Sequence, residues 1–152
     1  MREILFRGKR IDNGEWVEGD LIQLHDGRKY IVNNRFGACI DDKGNFINTE
    51  EPFVCQVDPA TVGQYTGLTD KNGRRIFEGD ILKEDYRYRG KHVLHLVGFG
   101  ESSFGTKRFV SGKLSDIFIP FDDCENPMCA ERETEVIGNV HDNPELLKEG
   151  QR

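Results

Sequence analysis

Two acid pairs, four cysteines, four histidines and one aromatic–basic run are the residues best suited to chemistry. Glu18-Gly19-Asp20 and Glu78-Gly79-Asp80 each hold two carboxylates two positions apart. Side chains two apart on a strand share a face, so each pair could serve acid–base work or a cation. The residue types favour a structural use. Gly-Asp entering a strand is a turn device, in which Asp accepts backbone N–H groups. Cys124 and Cys129 could form half of a zinc site, but structural zinc usually takes tighter knuckles in two pairs. Cys39 and Cys55 stand apart in β-type contexts. Buried thiols are expected for Cys39 and Cys55. Unreactive thiols are expected for Cys124 and Cys129, since neighbouring negative charge raises a thiol pKa. His92 and His95 would face opposite sides of one strand and chelate poorly. His25 and His141 fall in turns. No Ser-His-Asp or Cys-His arrangement follows from spacing, and no Walker loop, dinucleotide fingerprint or HExxH occurs. The expectation is no catalytic residue, no metal and no cofactor.

Tyr86-Arg87-Tyr88-Arg89-Gly90-Lys91-His92 interleaves rings with cations. Single-strand nucleic-acid sites combine those two things, cations tracking phosphates and rings stacking on bases. Tyr86, Arg87, Tyr88, Arg89 and Lys91 are therefore the candidate nucleic-acid contacts. The competing reading is a solvated hairpin edge, whose Lys and Arg guard against edge-to-edge pairing. Arg7-Gly8-Lys9-Arg10 and Arg74-Arg75 would extend the patch only if the fold gathered them. The charge balance is adverse: the chain carries −6 overall, and the stretch 116–135 alone holds seven acids against Arg132. A net negative protein is a poor non-specific binder of phosphate backbones.

The elements that must position these residues are short strands. Asn13-Gly14, Asp26-Gly27, Lys43-Gly44 and Asn72-Gly73 punctuate the chain at close intervals. Asn-Gly supplies the positive φ that tight hairpins need. Such a rhythm marks a β meander rather than βαβ units. The near-continuous apolar run within His92–Phe99 is expected in mid-sheet. Further strands are expected at Ile81–Lys83, Lys107–Val110, Ile117–Phe121 and Glu135–Val140. Asp58-Pro59 predicts one short helical turn, with Asp as cap and Pro in the first turn. Asn143 to Glu149 predicts a short capped helix. The expected core comprises Ile4, Phe6, Trp16, Val17, Leu21, Phe53, Tyr65, Ile76, Phe77, Ile81, Leu94, Leu96, Phe118 and Ile137. Asn13 to Ile22 is echoed by Asn72 to Leu82, with one extra residue in the second copy, which suggests two related β halves.

The residues also resemble a known family. Arg2-Glu3-Ile4-Leu5-Phe6-Arg7-Gly8-Lys9-Arg10 and Gly14-Glu15-Trp16-Val17-Glu18-Gly19-Asp20 are similar to the start of the YopX proteins of phages and prophages. Val57-Asp58-Pro59-Ala60-Thr61-Val62-Gly63-Gln64-Tyr65-Thr66-Gly67-Leu68-Thr69-Asp70-Lys71-Asn72-Gly73, with Ile76 to Ile81, is similar to its centre. Glu135 to Leu147 is similar to its closing motif. The blocks stand in family order, and residues 84–133 match least. The resemblance implies a mostly-β, barrel-like, oligomeric protein encoded by temperate phages of low-GC Gram-positive hosts. It implies no activity and brings no catalytic residues.

The expectation is thus a mostly-β, small barrel-like fold with few short helices. It spans 1–152 as one domain, with subdomains at 1–60 and 61–147. The charged N-terminus predicts no secretory leader, no apolar run is long enough for a membrane span, and a cytoplasmic location follows. The leading function is a non-enzymatic accessory protein that associates with itself or with a phage or host protein. A single-strand nucleic-acid module is the alternative, and a metalloprotein or enzyme comes third.

Overall fold

The computed structural model describes residues 3–33, 43, 54–86, 91–100, 102–110, 112–121 and 134–149. They form two compact units, Met1–Gln64 and Tyr65–Arg152.

In the first unit, β1 (Phe6–Lys9), β2 (Trp16–Gln23), β3 (Lys29–Val32) and β4 (Val54–Val57) are joined antiparallel in the order β4-β3-β2-β1. Gly14 and Gly27 take φ of 72° and 90° at the two hairpin turns, as their Asn-Gly and Asp-Gly contexts require. Alternation turns Val17, Ile31, Cys55 and Val57 inward, where Phe6, Leu21 and Val62 pack on them. The expected helical turn is present as a 3-10 turn at Pro59–Thr61. The Asp58 carboxylate caps it by accepting the Ala60 N–H at 3.0 Å. Thr61 then accepts the Lys9 N–H at 2.9 Å and fastens the turn to β1.

β5 (Gly63–Thr69) starts in the first unit beside β1 and continues into the second, where it pairs with β6 (Arg75–Phe77). A five-stranded antiparallel sheet follows. It contains β7 (Asp80–Tyr86), β8 (Lys91–Phe99), β9 (Phe104–Val110), β10 (Lys113–Pro120) and β11 (Thr134–Asn139), in the order β10-β9-β8-β7-β11. β8 holds the central place its apolar run predicted. Leu82, Val97 and Val136 on this sheet pack with Ile76, Leu68 and Phe121. Phe118 of β10 lies across Gly100 and Gly105, where added Cβ atoms would sit 2.4 Å and 2.7 Å from its ring. The chain then forms a short helix α1 (Leu146–Glu149).

The mostly-β expectation holds, but the sheets are not closed into a barrel. In the first unit, β4 approaches the chain just after β1 through one bridge, Arg10–Val57, and the Ile11 N–H donated to Gln56 O. That contact is too short to make a paired strand.

The Glu-Gly-Asp echo resolves into two different devices. Gly79 has φ of 84° in the turn between β6 and β7, and the Asp80 carboxylate accepts the Phe77 N–H at 2.8 Å. That copy is the expected strand-entry turn. Gly19 instead lies within β2, where a Cβ would come 1.8 Å from Val32 O. There, close backbone approach demands glycine, and no turn forms. The second copy is split at Glu78-Gly79 between β6 and β7, whereas the first runs on through β2. Of the expected core, Ile4 is 63% exposed, ahead of the first paired residue, and Phe53 lies outside the described residues.

Candidate functional site

The β7–β8 hairpin brings Lys83, Glu84, Asp85, His92 and His95 onto two neighbouring strands. Its register pairs Leu82 with His95, Glu84 with Val93, Asp85 with His92 and Tyr86 with Lys91. Arg87, Tyr88, Arg89 and Gly90 lie outside the described residues, so the backbone pairing of Tyr86 with Lys91 marks only the base of the proposed nucleic-acid segment.

Adjacent strand residues face opposite ways, so Glu84 and Asp85 open two separate settings. On one face, Asp85 gathers His92 at 2.8 Å, Lys83 at 3.5 Å and Lys71 at 3.6 Å, and Lys71 also meets Glu135 at 3.3 Å. The hydrogen bond from His92 holds the Asp85 carboxyl below its usual range, with Lys83 and Lys71 adding to the effect. Contact with Glu135 raises the Lys71 ammonium. These cations already face carboxylates and are less available to phosphates. The other basic runs are engaged as well. Arg7 is buried, with its guanidinium 4.8 Å from the Trp16 ring centroid, and Lys9 lies 5.9 Å from the same ring. Arg10 binds Asp12 at 2.6 Å, and Arg75 sits 5.7 Å over Tyr65.

On the opposite face is a buried polar line that sequence spacing did not disclose. His95 Nε2 lies 2.8 Å from Glu84 Oε2, and Thr106 Oγ1 lies 3.4 Å from His95 Nδ1. Glu84 is a diagonal neighbour of His95 across β7–β8. Thr106 and Arg108 reach it from β9, where Arg108 pairs directly with His95. A carboxylate acceptor at Nε2 assigns the ring proton there and leaves Nδ1 to accept from the Thr106 hydroxyl. Burial pushes the His95 pKa below the usual imidazole value; Glu84 opposes this, and Arg108 adds to the depression. The ring is therefore neutral near pH 7. Arg108 Nε is buried and, among the described residues, finds no hydrogen-bond acceptor.

Carboxylate, imidazole and hydroxyl in this order make up a hydrolytic triad. Here His95 and Thr106 are both 0% exposed. A nucleophile without access attacks nothing, so the line ties three strands together. The expected separation of His92 and His95 onto opposite faces is what the structure shows. The β7–β8 register places residues summing to 177 opposite each other, which puts Glu84 diagonal to His95. The sequence holds the alternation of these residues along β7 and β8 but leaves that register open.

Among the described residues no group of three or more His, Cys, Asp and Glu side chains is placed to hold a metal. Cys55 is a buried free thiol, as expected. Cys39, Cys124 and Cys129 lie outside the described residues.

The family model described as "YopX protein" matches residues 5–148. The crystal structure of protein EF1440 from Enterococcus faecalis is similar in fold. It has a TM-score of 0.52 and 24% sequence identity, covering 97% of this chain and 99% of that one. No curated protein matches the chain.

Proposed function

The chain belongs to the YopX family, and from that premise we propose that it is a non-enzymatic, phage- or prophage-encoded accessory protein that works as an assembly of its own copies in the host cytoplasm. The observation that carries this reading is the outer face of β2–β3–β4. Register places Ile22 beside Tyr30, and Val32 beside Val54, on the face away from the first unit's core. Ile22 is 42% exposed and Val54 45% exposed. Adjacent β-branched side chains on an open sheet face gain by being covered, and a second copy can cover them through a two-fold contact that needs only one patch. The inaccessibility of the Glu84–His95–Thr106 line supports the non-enzymatic part. No helix among the described residues is long and apolar enough to cross a membrane.

Light scattering at working concentration tests the reading. The wild type is expected as an oligomer, and Ile22→Glu with Val54→Lys is expected to shift it towards monomer with an unchanged circular-dichroism spectrum. A wild type that is already monomeric overturns it.

The single-strand reading, centred on Tyr86, Arg87, Tyr88, Arg89 and Lys91, keeps its aromatic–basic composition in its favour. Against it stand the carboxylates that engage Lys71, Lys83 and His92 at the hairpin base. Absence of binding to a labelled single strand at low salt removes it.

A further inference from the structure

We propose that Glu84, His95, Thr106 and Arg108 form an acid-sensitive lock at the centre of the five-stranded sheet, so that mild acid loosens β7, β8 and β9 by forcing a proton onto a ring that has no room for its charge. The geometry supports this directly. His95 is fully buried between Glu84 on β7 and Arg108 on β9, and both of its ring nitrogens are committed. With Nε2–H donating to Glu84, Nδ1 must accept from Thr106. Protonation at Nδ1 replaces that acceptor with a donor, and the Thr106 hydroxyl hydrogen bond is lost or reversed. The new positive charge also faces the Arg108 guanidinium. Glu84 is the one carboxylate in contact with the ring among the described residues. Asp80, further along β7, is engaged by the Phe77 N–H. Lys83, Asp85, His92 and Glu135 lie on the opposite face, in the Asp85 cluster.

The direction follows from linkage. His95 titrates below its unfolded value. Above the unfolded pKa neither state binds the proton, and stability is unaffected. As pH falls through about 6.5, the unfolded chain takes the proton first and stability declines. One pH unit below the unfolded value, the opening equilibrium rises by at most about tenfold for one such histidine.

Amide hydrogen exchange of the full chain at pH 7.5 and 5.5, corrected for intrinsic rates, measures this opening. In the wild type, β7–β9 amides are expected to lose protection at pH 5.5, by up to about tenfold. His95→Gln, which cannot titrate, is expected to show the same protection at both pH values, and the exposed control His92→Gln is expected to keep the acid loss. Unchanged wild-type protection, or an acid loss that survives in His95→Gln, overturns the proposal. Should His95→Gln fail to fold, nitrogen NMR of the wild-type imidazole decides. A ring that stays neutral well below pH 6.5, with its proton on Nε2, supports the lock, and one that titrates at or above 6.5 rejects it.

Discussion

At the scale of single residues, Asp70 shows how one carboxylate can organise a fold. One oxygen accepts the Asn72 and Arg74 N–H groups at 2.9 Å each, and the other accepts the Val136 N–H at 3.0 Å. The β5–β6 turn is thereby built and fastened to β11 by the same side chain, and the Lys71 N–H adds a bond to Thr134 O. Burial would raise the Asp70 pKa, but the three amides and Arg74 outweigh it and hold the carboxyl below its usual value. Its contribution is present above the unfolded pKa of about 3.9 and is lost as pH falls through the lower folded value. Asp70→Asn sets an amide NH2 against a backbone N–H and is expected to cost about 1–3 kcal/mol in urea unfolding. Gly19→Ala is expected to be at least as damaging, because its Cβ would overlap Val32 O and the β2–β3 pairing would have to part. Neither residue's role could be read from the sequence. Thr69-Asp70-Lys71-Asn72-Gly73 announces a turn, but nothing in it names a partner sixty-six positions away.

Strands were the most legible part of the chain, because their boundaries depend on local chemistry. Asn-Gly and Asp-Gly mark the hairpins, the apolar run of β8 marks mid-sheet, and Asp58-Pro59 marks the helical turn. Register was less legible. It decides that Glu84 meets His95 while Asp85 meets His92, and it depends on a turn centre that composition alone leaves open. The edges of the second sheet, β10 and β11, are each protected. β10 carries a bulge between Leu114 and Phe118, with Lys113 and Asp116 along it and Pro120 at its end. Each of these features blunts strand addition. β11 donates its Val136 N–H to Asp70 rather than leaving it open. Copies are therefore expected to meet through the β2–β3–β4 face and not by joining β10 strands. Asp116→Val is expected to raise aggregation on heating, seen as turbidity, while leaving the native oligomer size unchanged. A smaller effect is expected from Asp58→Ala, which removes the cap of the 3-10 turn and is expected to cost about 1 kcal/mol in the same urea assay.

Across the whole molecule, a repeated motif does not guarantee a repeated structure. The two Glu-Gly-Asp copies share residue types, yet one is a close approach within a strand and the other a turn between strands. Closure into a barrel was expected from the family resemblance, whereas the strand orders found are open. Self-association is the claim on which the functional account turns, and it predicts concentration-dependent behaviour of the intact chain. Sedimentation velocity over a dilution series tests it most directly. The account predicts a species of at least twice the 17.4 kDa chain mass that dissociates on dilution or on charging Ile22 and Val54. A single 17.4 kDa species at every concentration would contradict it.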